Sequence, residues 1–285
     1  MSKALSRSQL KTLIERITKL YPSSYADNSW DNTGLLIDCS ATQESVKNPK
    51  VLLTIDLTAA VAQEALKNDC SLILAYHPFV FPSWKRLSPW TNSQHQSAIQ
   101  LIQNGVSVYC PHTAVDAAKN GVNDWLASAM VDDQSLIKSS VSIEQVLPVQ
   151  GERATEVGYG RVVEFTKSVS IKSIIGSLKT TLGVQNLQLA LKEALDDFKV
   201  QKVALCAGSG SGVFKNLKED ADLYLTGEMS HHEILRLREM GKGVIVCNHS
   251  NTERGFLRQV MLKELSDAGI QCIVSSEDCD PLVFV

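Results

Sequence analysis

The sequence lacks the features that would place it among disulfide-rich, membrane-spanning or nucleic-acid-binding proteins. None of its seven cysteines is paired at Cys-x-x-Cys spacing, which argues against a disulfide framework and a thiolate zinc finger and fits a reducing compartment. The longest apolar runs, such as residues 72–81, fall short of the ~20 residues that a membrane-spanning helix needs. The 28 Lys and Arg residues do not exceed the 31 Asp and Glu residues, so charge does not favour binding to nucleic acid.

The N-terminal segment lacks the unbroken apolar stretch of a secretory signal peptide. Its first twenty residues carry five basic residues and only Glu15 as an acidic one, a pattern that a mitochondrial transit peptide shares. Leucine and isoleucine recur in the same segment at helical spacing, which favours a first helix of the folded domain. We therefore expect a cytoplasmic protein, with mitochondrial targeting left open.

Length and composition are those of an ordinary globular protein. The 285 residues, 44% hydrophobic and 21% charged, are enough for about two lobes. Short apolar runs alternate with helical stretches, which is typical of parallel strands whose connecting helices cover the sheet. The sequence therefore predicts an α/β fold, a single domain over 1–285 with two lobes. Lobe 1 takes about 1–130 plus 245–285 and lobe 2 about 150–244, with a polar, irregular segment at 131–156 as the boundary.

Histidines and acidic residues follow three of the predicted strands. Ligands of open α/β sheets bind at the carboxyl ends of the strands, so we expect these side chains at one edge. Imidazole and carboxylate groups are the ligands that divalent transition metals take. The sequence therefore predicts a metal site at this edge. Its candidate ligands are His77, His112, Asp116, His249 and Glu253.

Each candidate ligand also has a simpler interpretation. Ser250 or Thr252 can cap a helix, and Glu253 in its first turn would then interact favourably with the helix dipole. Asp116 can be the N-cap of the helix that follows it, and His77 can be an ordinary hydrogen-bonding residue at a strand end. Three strand ends that each deliver such a residue favour the metal site over these alternatives.

A glycine-rich loop and a second histidine-containing segment complete the candidates. The loop contains Gly208, Gly210 and Gly212. Its backbone amides can hold an anion such as a substrate phosphate, although its spacing is not that of a Walker A loop and a tight turn is the alternative. Glu228 and His231 follow the next strand and are candidate acid–base groups, whereas His232 is expected at an exposed helix start. No Gly-x-Ser-x-Gly motif supports a catalytic serine.

Seven segments together resemble the Nif-three-like family (NGG-one-interacting factor three), also labelled GTP cyclohydrolase type 2-like. They are residues 30–38, 53–58, 75–81, 110–127, 203–212, 222–235 and 248–257. They extend over nearly the whole chain, and the strings PHTAVD and TERG make the resemblance specific. The chain resembles the compact form of the family, without the extra domain that some members insert.

The resemblance implies two facing α/β lobes with mixed and parallel sheets covered by helices and a metal cleft between them. It also implies ring-shaped hexamers built from dimers. The implied centre is dinuclear. Carried over residue by residue, its ligands are His77, Asp116, His249 and Glu253, with Glu253 as the bridge and His112 as a ligand or a supporting residue.

Tyr76 departs from the bacterial pattern, which has two adjacent histidines at this point. A tyrosine is a poor ligand at neutral pH because its pKa lies near ~10. We therefore expect one or two divalent ions per chain, and the ligand set suits zinc, iron or manganese equally well.

Two functions are compatible with such a centre. The first is a metal-dependent, cyclohydrolase-like hydrolase that uses metal-bound water on a nucleotide or a cyclic amide. The alternative is a non-catalytic, metal-bearing scaffold that binds a protein partner such as a transcriptional co-activator, as the family name suggests. Neither function requires direct contact with nucleic acid or with a membrane.

Overall fold

A computed structural model describes residues 3–42, 46–81, 83–146 and 155–283. The chain divides into two compact units, each a mixture of helices and sheet, which confirms the predicted α/β class. Unit 1 consists of Met1–Val115 and Leu257–Cys279, and unit 2 of Asp116–Phe256 and Asp280–Val285. The chain thus enters unit 2 before the irregular segment 131–156, and the lobe boundaries drawn from the sequence stay a prediction.

Unit 1 is built on a five-stranded mixed sheet. In spatial order the strands are β1 (Gly34–Ile37), β4 (Ser107–Cys110), β3 (Leu72–Ala75), β2 (Lys50–Thr54) and β13 (Gln271–Val274). The last four run parallel, and β1 pairs antiparallel with β4 at one edge. All four residues of β3 are fully buried, as a central parallel strand covered on both faces requires. The helices of this unit are α1 (Arg7–Leu20), α2 (Ala59–Lys67), α3 (Ser93–Asn104) and α10 (Leu262–Asp267).

Helix α1 confirms the prediction of a folded N-terminal helix. Ser6 caps it through a capping box, in which its hydroxyl accepts from the backbone amide of Gln9 and the Gln9 side chain accepts from the Ser6 amide. Its buried residues are Leu10, Leu13 and Ile17, whose spacing of three and four places them on one face. The basic side chains of the segment therefore occupy the remaining faces.

Unit 2 contains a six-stranded sheet. In spatial order the strands are β5 (Ile137–Val141), β8 (Arg161–Ser170), β10 (Lys199–Ser209), β11 (Leu223–Glu228), β12 (Gly243–Val246) and β9 (Gln188–Ala190). The three strands β10, β11 and β12 are parallel, and the others pair antiparallel. Two short strands, β6 (Glu144–Gln145) and β7 (Gly158–Tyr159), form a separate pair. The helices are α5 (Val122–Ser128), α6 (Ile171–Leu182), α7 (Ser211–Phe214), α8 (His231–Glu239) and α9 (Arg254–Phe256).

The helix expected after the PHTAVD string is divided in two. Helix α4 (Thr113–Ala117) ends before residues 118–121, and α5 begins after Gly121. Asp116 lies inside α4, so the alternative interpretation of this residue as an N-cap is wrong. Asp124 in the first turn of α5 instead accepts a hydrogen bond from the amide of Asn120 at 2.7 Å.

The final helical region is also less regular than the sequence predicts. Ser250–Thr252 forms a 3-10 turn with no side-chain cap, so the expected cap by Ser250 or Thr252 is wrong. Glu253 precedes α9 rather than lying in its first turn. A π-helical turn, Leu257–Met261, then separates α9 from α10. Such turns occur frequently at functional sites.

None of the helices in the described part of the chain is long and apolar enough to cross a membrane.

Candidate metal centre

Two histidines of unit 1 each lie against a carboxylate. His77 follows β3, and its Nδ1 is 2.9 Å from Oδ1 of Asp56, which follows the neighbouring β2. His112 follows β4, and its Nδ1 is 2.8 Å from Oδ1 of Asp31. Because β2, β3 and β4 are parallel neighbours, their carboxyl ends bring these residues to one edge of the sheet. The prediction of a single edge is wrong for His249 and Glu253, because the strand that precedes them, β12, belongs to the six-stranded sheet.

The Asp31 side chain is fully buried. Besides His112, it accepts hydrogen bonds from the backbone amide and the hydroxyl of Thr113. Burial raises the pKa of Asp31, but the bonds from His112 and Thr113 outweigh it and leave the pKa below its usual value. The buried carboxylate is therefore an anion at neutral pH that faces one nitrogen of His112.

Aromatic rings surround the two histidines. The ring centroids of His77 and His112 are 5.4 Å apart, and the buried Tyr76 lies edge-on to both, at 5.3 and 5.8 Å. Trp30 contacts His112 at 5.8 Å on another side. Tyr76, the residue that departs from the bacterial pattern, thus packs against both candidate ligands.

In unit 2, His249 lies between two carboxylates. It follows β12, and its Nδ1 is 3.1 Å from Oε2 of Glu228 at the end of β11. Its Nε2 is 3.5 Å from Oε1 of Glu253, whose side chain is only 3% exposed. The preceding Asn248 has a left-handed backbone with φ of 66°, a conformation that asparagine tolerates better than most residues.

Two glycines make room for this pair. A Cβ on Gly208, where φ is +62°, would lie 2.8 Å from Oε1 of Glu253 and 2.9 Å from Nε2 of His249. A Cβ on Gly227 would lie 2.7 Å from the Cα of His249. Any larger residue at either position would therefore push against the candidate ligands.

The glycine-rich loop is held by two fully buried threonines. Thr252 accepts a hydrogen bond from the Gly208 amide at 2.8 Å and donates to the His249 carbonyl at 2.6 Å. Thr226 accepts from the Gly210 amide at 2.9 Å and donates to the Gly208 carbonyl at 3.0 Å. The amides of Gly208 and Gly210, which were candidates for binding a substrate phosphate, therefore already donate to protein groups. The loop packs against a carboxylate, which argues for a supporting turn.

Asp116 reaches the same end of the unit 2 sheet. Its carbonyl accepts from the side-chain amide of Asn123 at 2.9 Å, and the Asn123 side-chain oxygen accepts from the Ala207 amide at 2.9 Å. Burial raises the pKa of Cys206, and the charges of Asp116 and Glu253 raise it further. Both carboxylates therefore lie around the carboxyl end of β10.

The two candidate acid–base groups occupy different positions. Glu228 is 58% exposed and contacts His249 directly. His231 is exposed at the start of α8, where its ring contacts His232 with centroids 5.4 Å apart. Among the described contacts, none joins His231 to a candidate ligand, so the geometry gives Glu228 the clearer connection to the site.

Within unit 2, His249 and Glu253 offer an imidazole and a buried carboxylate to a metal ion. Imidazole and carboxylate groups are ligands that divalent transition metals take. The space beside Gly208, which a Cβ would fill, adjoins both side chains. The residues present therefore fit a divalent ion.

The residues that hold the candidate ligands in place were not predicted from the sequence. Asp56 follows β2 and would have been found by the same strand-end rule that selected His77. Asp31 lies in the segment WDNTGLLID that carries the resemblance, but no spacing rule links it to His112. Asn123 and Thr226 have no local signal, because their partners come from distant parts of the chain.

Comparison with known proteins places the chain in a family. The sequence profile described as Duf34/NIF3 (NGG1p interacting factor 3) matches residues 8–281. NGG1-interacting factor 3 of Saccharomyces cerevisiae is 58% identical, over 99% of both chains. The NIF3 homolog of Schizosaccharomyces pombe is 43% identical, again over 99% of both. NIF3-like protein 1 of Homo sapiens is 32% identical, over 97% of this chain and 92% of its own.

Solved structures show the same fold. A Bacillus cereus protein related to NIF3 superposes with a TM-score of 0.79 at 20% identity, over 96% of this chain and 98% of its own. HcgD of Methanocaldococcus jannaschii, in its reduced form, superposes with a TM-score of 0.74 at 24% identity, over 93% and 97%. The resemblance inferred from the sequence is confirmed, and the chain belongs to the Duf34/NIF3 family.

Proposed function

We propose that the protein is a metal-dependent hydrolase whose divalent ion is held by His249 and Glu253. The observation that carries this proposal is their pairing, in which Nε2 of His249 lies 3.5 Å from Oε1 of the buried Glu253. His77, His112 and Asp116 complete the ligand set that the resemblance implies. A carboxylate is costly to bury unless a positive charge or hydrogen bonds compensate it, and a cation beside the His249 imidazole would supply that charge.

The proposed reaction is hydrolysis of a nucleotide or a cyclic amide. A divalent ion held by these residues would lower the pKa of coordinated water towards ~7 and would polarise an electrophilic carbon or phosphorus. The protein contributes the geometry: the Thr252 hydroxyl fixes the His249 backbone, and Gly208 allows Glu253 to approach. Zinc, iron and manganese all accept this ligand set.

The first test measures bound metal and turnover together. Purified protein loaded with zinc, manganese or iron is expected to retain at least one ion per chain after desalting and to hydrolyse at least one compound in a panel of nucleotides and cyclic amides. The variants His249→Ala and Glu253→Gln are expected to lose both properties. His232→Ala, which changes an exposed histidine on α8, is the matched control and is expected to keep both.

A wild-type protein that retains no metal under any loading condition would refute the proposal. Metal retention without turnover of any compound would instead favour the scaffold function.

A second function is supported by a relative. The Saccharomyces cerevisiae protein that is 58% identical bears the name NGG1-interacting factor 3. We propose as the alternative that this chain is a metal-bearing scaffold for a co-activator protein of that kind. Immobilised protein is expected to retain purified yeast NGG1, and Glu253→Gln to retain it equally if the metal is not required. Absence of retention by both proteins would remove this alternative.

The assembly implied by the resemblance is also a proposal. We propose a hexamer built from dimers, so light scattering after size-exclusion chromatography is expected to give about six times the chain mass of 31.2 kDa. A mass of one or two chains would contradict it. We also propose, from the sequence alone, that the protein is cytoplasmic with a mitochondrial fraction. Cell fractionation tests this location.

A further inference from the structure

Three histidines of the candidate centre share one arrangement. In each, Nδ1 faces a carboxylate oxygen: Asp56 for His77 at 2.9 Å and Asp31 for His112 at 2.8 Å. His249 has the same relation to Glu228 at 3.1 Å, which is the shorter of its two carboxylate contacts because Nε2 lies 3.5 Å from Oε1 of Glu253. The three carboxylates come from different parts of the chain. Two pairs lie within unit 1 and the third within unit 2.

The arrangement decides which ring nitrogen can bind a metal. A carboxylate accepts a hydrogen bond but cannot donate one when it is ionised, so the ring nitrogen in the shorter carboxylate contact carries the hydrogen. The lone pair of a neutral imidazole then lies on the other nitrogen, Nε2. Histidine ligands in metalloproteins commonly use this device, in which a carboxylate fixes both the tautomer and the orientation of the ring.

Two of the three acidic residues, Asp31 and Asp56, are themselves held by other groups. Asp31 is fixed by the amide and the hydroxyl of Thr113. The backbone amides of Ile55 and Asp56 donate to the carboxylate of Asp278, which fixes the start of the loop after β2. The Asp31 carboxylate and the Asp56 backbone therefore have defined positions before a ligand arrives, which is what a preorganised site requires.

We propose that Asp31, Asp56 and Glu228 are positioning residues that set Nε2 of His112, His77 and His249 as the metal-facing atom. This inference rests on the proposed metal centre. It assigns Glu228 to the support of His249 rather than to acid–base chemistry, and it gives a role to two acidic residues that are not themselves ligands.

The variants Asp31→Asn, Asp56→Asn and Glu228→Gln keep the size of each side chain but add an amide N–H that can donate to Nδ1. Zinc affinity is measured on the full chain by competition with a chromophoric chelator. Each variant is expected to bind zinc about 10–100-fold more weakly than the wild type. The matched control is Asp27→Asn, because Asp27 lies four residues before Asp31 and its carboxylate accepts hydrogen bonds from Ser29 and Trp30 rather than from a histidine.

A second measurement reads the tautomer directly and does not depend on activity. Long-range proton–nitrogen NMR spectra of metal-depleted protein labelled with ¹⁵N-histidine distinguish the Nδ1–H from the Nε2–H form. The wild type is expected to show the Nδ1–H form for His77, His112 and His249, identified by loss of each signal on substitution by glutamine. Glu228→Gln is expected to shift the His249 signals towards the Nε2–H form.

The outcomes separate this inference from the function on which it rests. Wild-type zinc affinity in all three variants, with unchanged tautomers, overturns the positioning roles and leaves the metal centre standing. A wild type that binds no zinc, manganese or iron refutes the metal centre and the inference with it. Because Asp31 is buried, its variant can fail to fold; Glu228 is 58% exposed, so Glu228→Gln alone then decides.

Discussion

Gly208 is the residue at which backbone and site chemistry are most closely linked. Its left-handed φ and the 2.8 Å approach of a Cβ to Glu253 both exclude a side chain. We expect Gly208→Ala to displace Glu253 and His249 and to weaken zinc binding at least ~10-fold, a change comparable to loss of a supporting group. Gly212→Ala is the control, because a Cβ there meets nothing within 4 Å. Equal zinc affinity in the two variants would contradict this prediction.

The cysteines predict a simple pattern of chemical reactivity. Cys279 is exposed, whereas burial raises the pKa of Cys39 and Cys70 to about 11 and that of Cys247 and Cys272 to about 12. Because the thiolate is the reactive form, we expect about one thiol per chain to react rapidly with Ellman's reagent at pH 8.

The assignment of this fast phase is tested by substitution. Cys279→Ser is expected to remove it and Cys39→Ser to leave it intact. A fast phase that persists in Cys279→Ser would show that a buried thiol is reactive.

At the residue scale, the sequence predicted the candidate ligands better than their supports. His77, His112 and His249 were selected because each ends a strand, and that rule depends only on neighbouring residues. Asp31 supports His112 from a segment 81 residues away, a distance that local patterns cannot span.

The C-terminal segment after β13 is attached to helix α2 through Glu64. The Glu64 carboxylate accepts hydrogen bonds from the Ser276 amide at 2.9 Å, from the Ser276 hydroxyl at 2.7 Å and from the Ser275 hydroxyl. Burial raises the pKa of Glu64, but these bonds outweigh it and leave the pKa below its usual value. The ionised carboxylate is therefore part of the attachment.

This attachment predicts a pH-dependent stability. A carboxylate whose pKa is depressed on folding stabilises the protein above its unfolded pKa of ~4.3 and loses that contribution as the pH falls through the folded pKa. Glu64→Gln is expected to lower the free energy of unfolding by about 1 kcal/mol at pH 7 and by less at pH 3. Glu15→Gln, on an exposed face of α1, is the control. A Glu64→Gln effect of the same size at both pH values would be inconsistent with an ionic anchor.

Arg161 connects several elements of unit 2. Its guanidinium is 1% exposed, forms two hydrogen bonds with Asp124 and donates to the carbonyls of Gly158, Gly160 and Ala118. These partners join α5 to the start of β8 and to the segment after α4. The planar guanidinium group of arginine has five N–H donors and can donate to all of these acceptors at once, which an ammonium group cannot do.

We expect Arg161→Lys to lower the free energy of unfolding by about 3 kcal/mol, because it leaves buried acceptors without donors. Urea denaturation measures the change. Arg236→Lys on the exposed face of α8 is the control and is expected to change stability by less than ~0.5 kcal/mol. If Arg161→Lys changed the free energy of unfolding as little as Arg236→Lys does, lysine and water would be sufficient to satisfy the buried acceptors.

The elements themselves were largely predictable, and the errors have identifiable causes. The buried parallel strands have continuous apolar runs, so the sequence indicates β2, β3, β4, β10, β11, β12 and β13 directly. The antiparallel edge strand β5 has a mostly polar sequence and was read as part of an irregular segment. The interruption between α4 and α5 and the π-helical turn depend on contacts made after folding, and no local pattern marks them.

For the whole molecule, metal binding predicts a gain in thermal stability. A ligand that binds only the folded state adds about 2.7 kcal/mol at 100 times its dissociation constant, which for a chain of this size corresponds to roughly 4–8 °C in the melting temperature. Added zinc is expected to raise the melting temperature of the metal-depleted wild type by this amount. Glu253→Gln, as the control, is expected to show no comparable gain, and equal gains in both would assign the effect to other zinc ligands.

The discontinuity of unit 1 has a consequence for the order in which the chain folds during synthesis. Residues 116–256 of unit 2 leave the ribosome as one continuous stretch, whereas unit 1 waits for Leu257–Cys279. Helix α1 depends on that late segment: Tyr21 donates to Glu264, and Arg16 donates to the Gly269 carbonyl. Domains tend to fold as units while the chain is made. Helix α1 is therefore made long before the segment that holds these two partners.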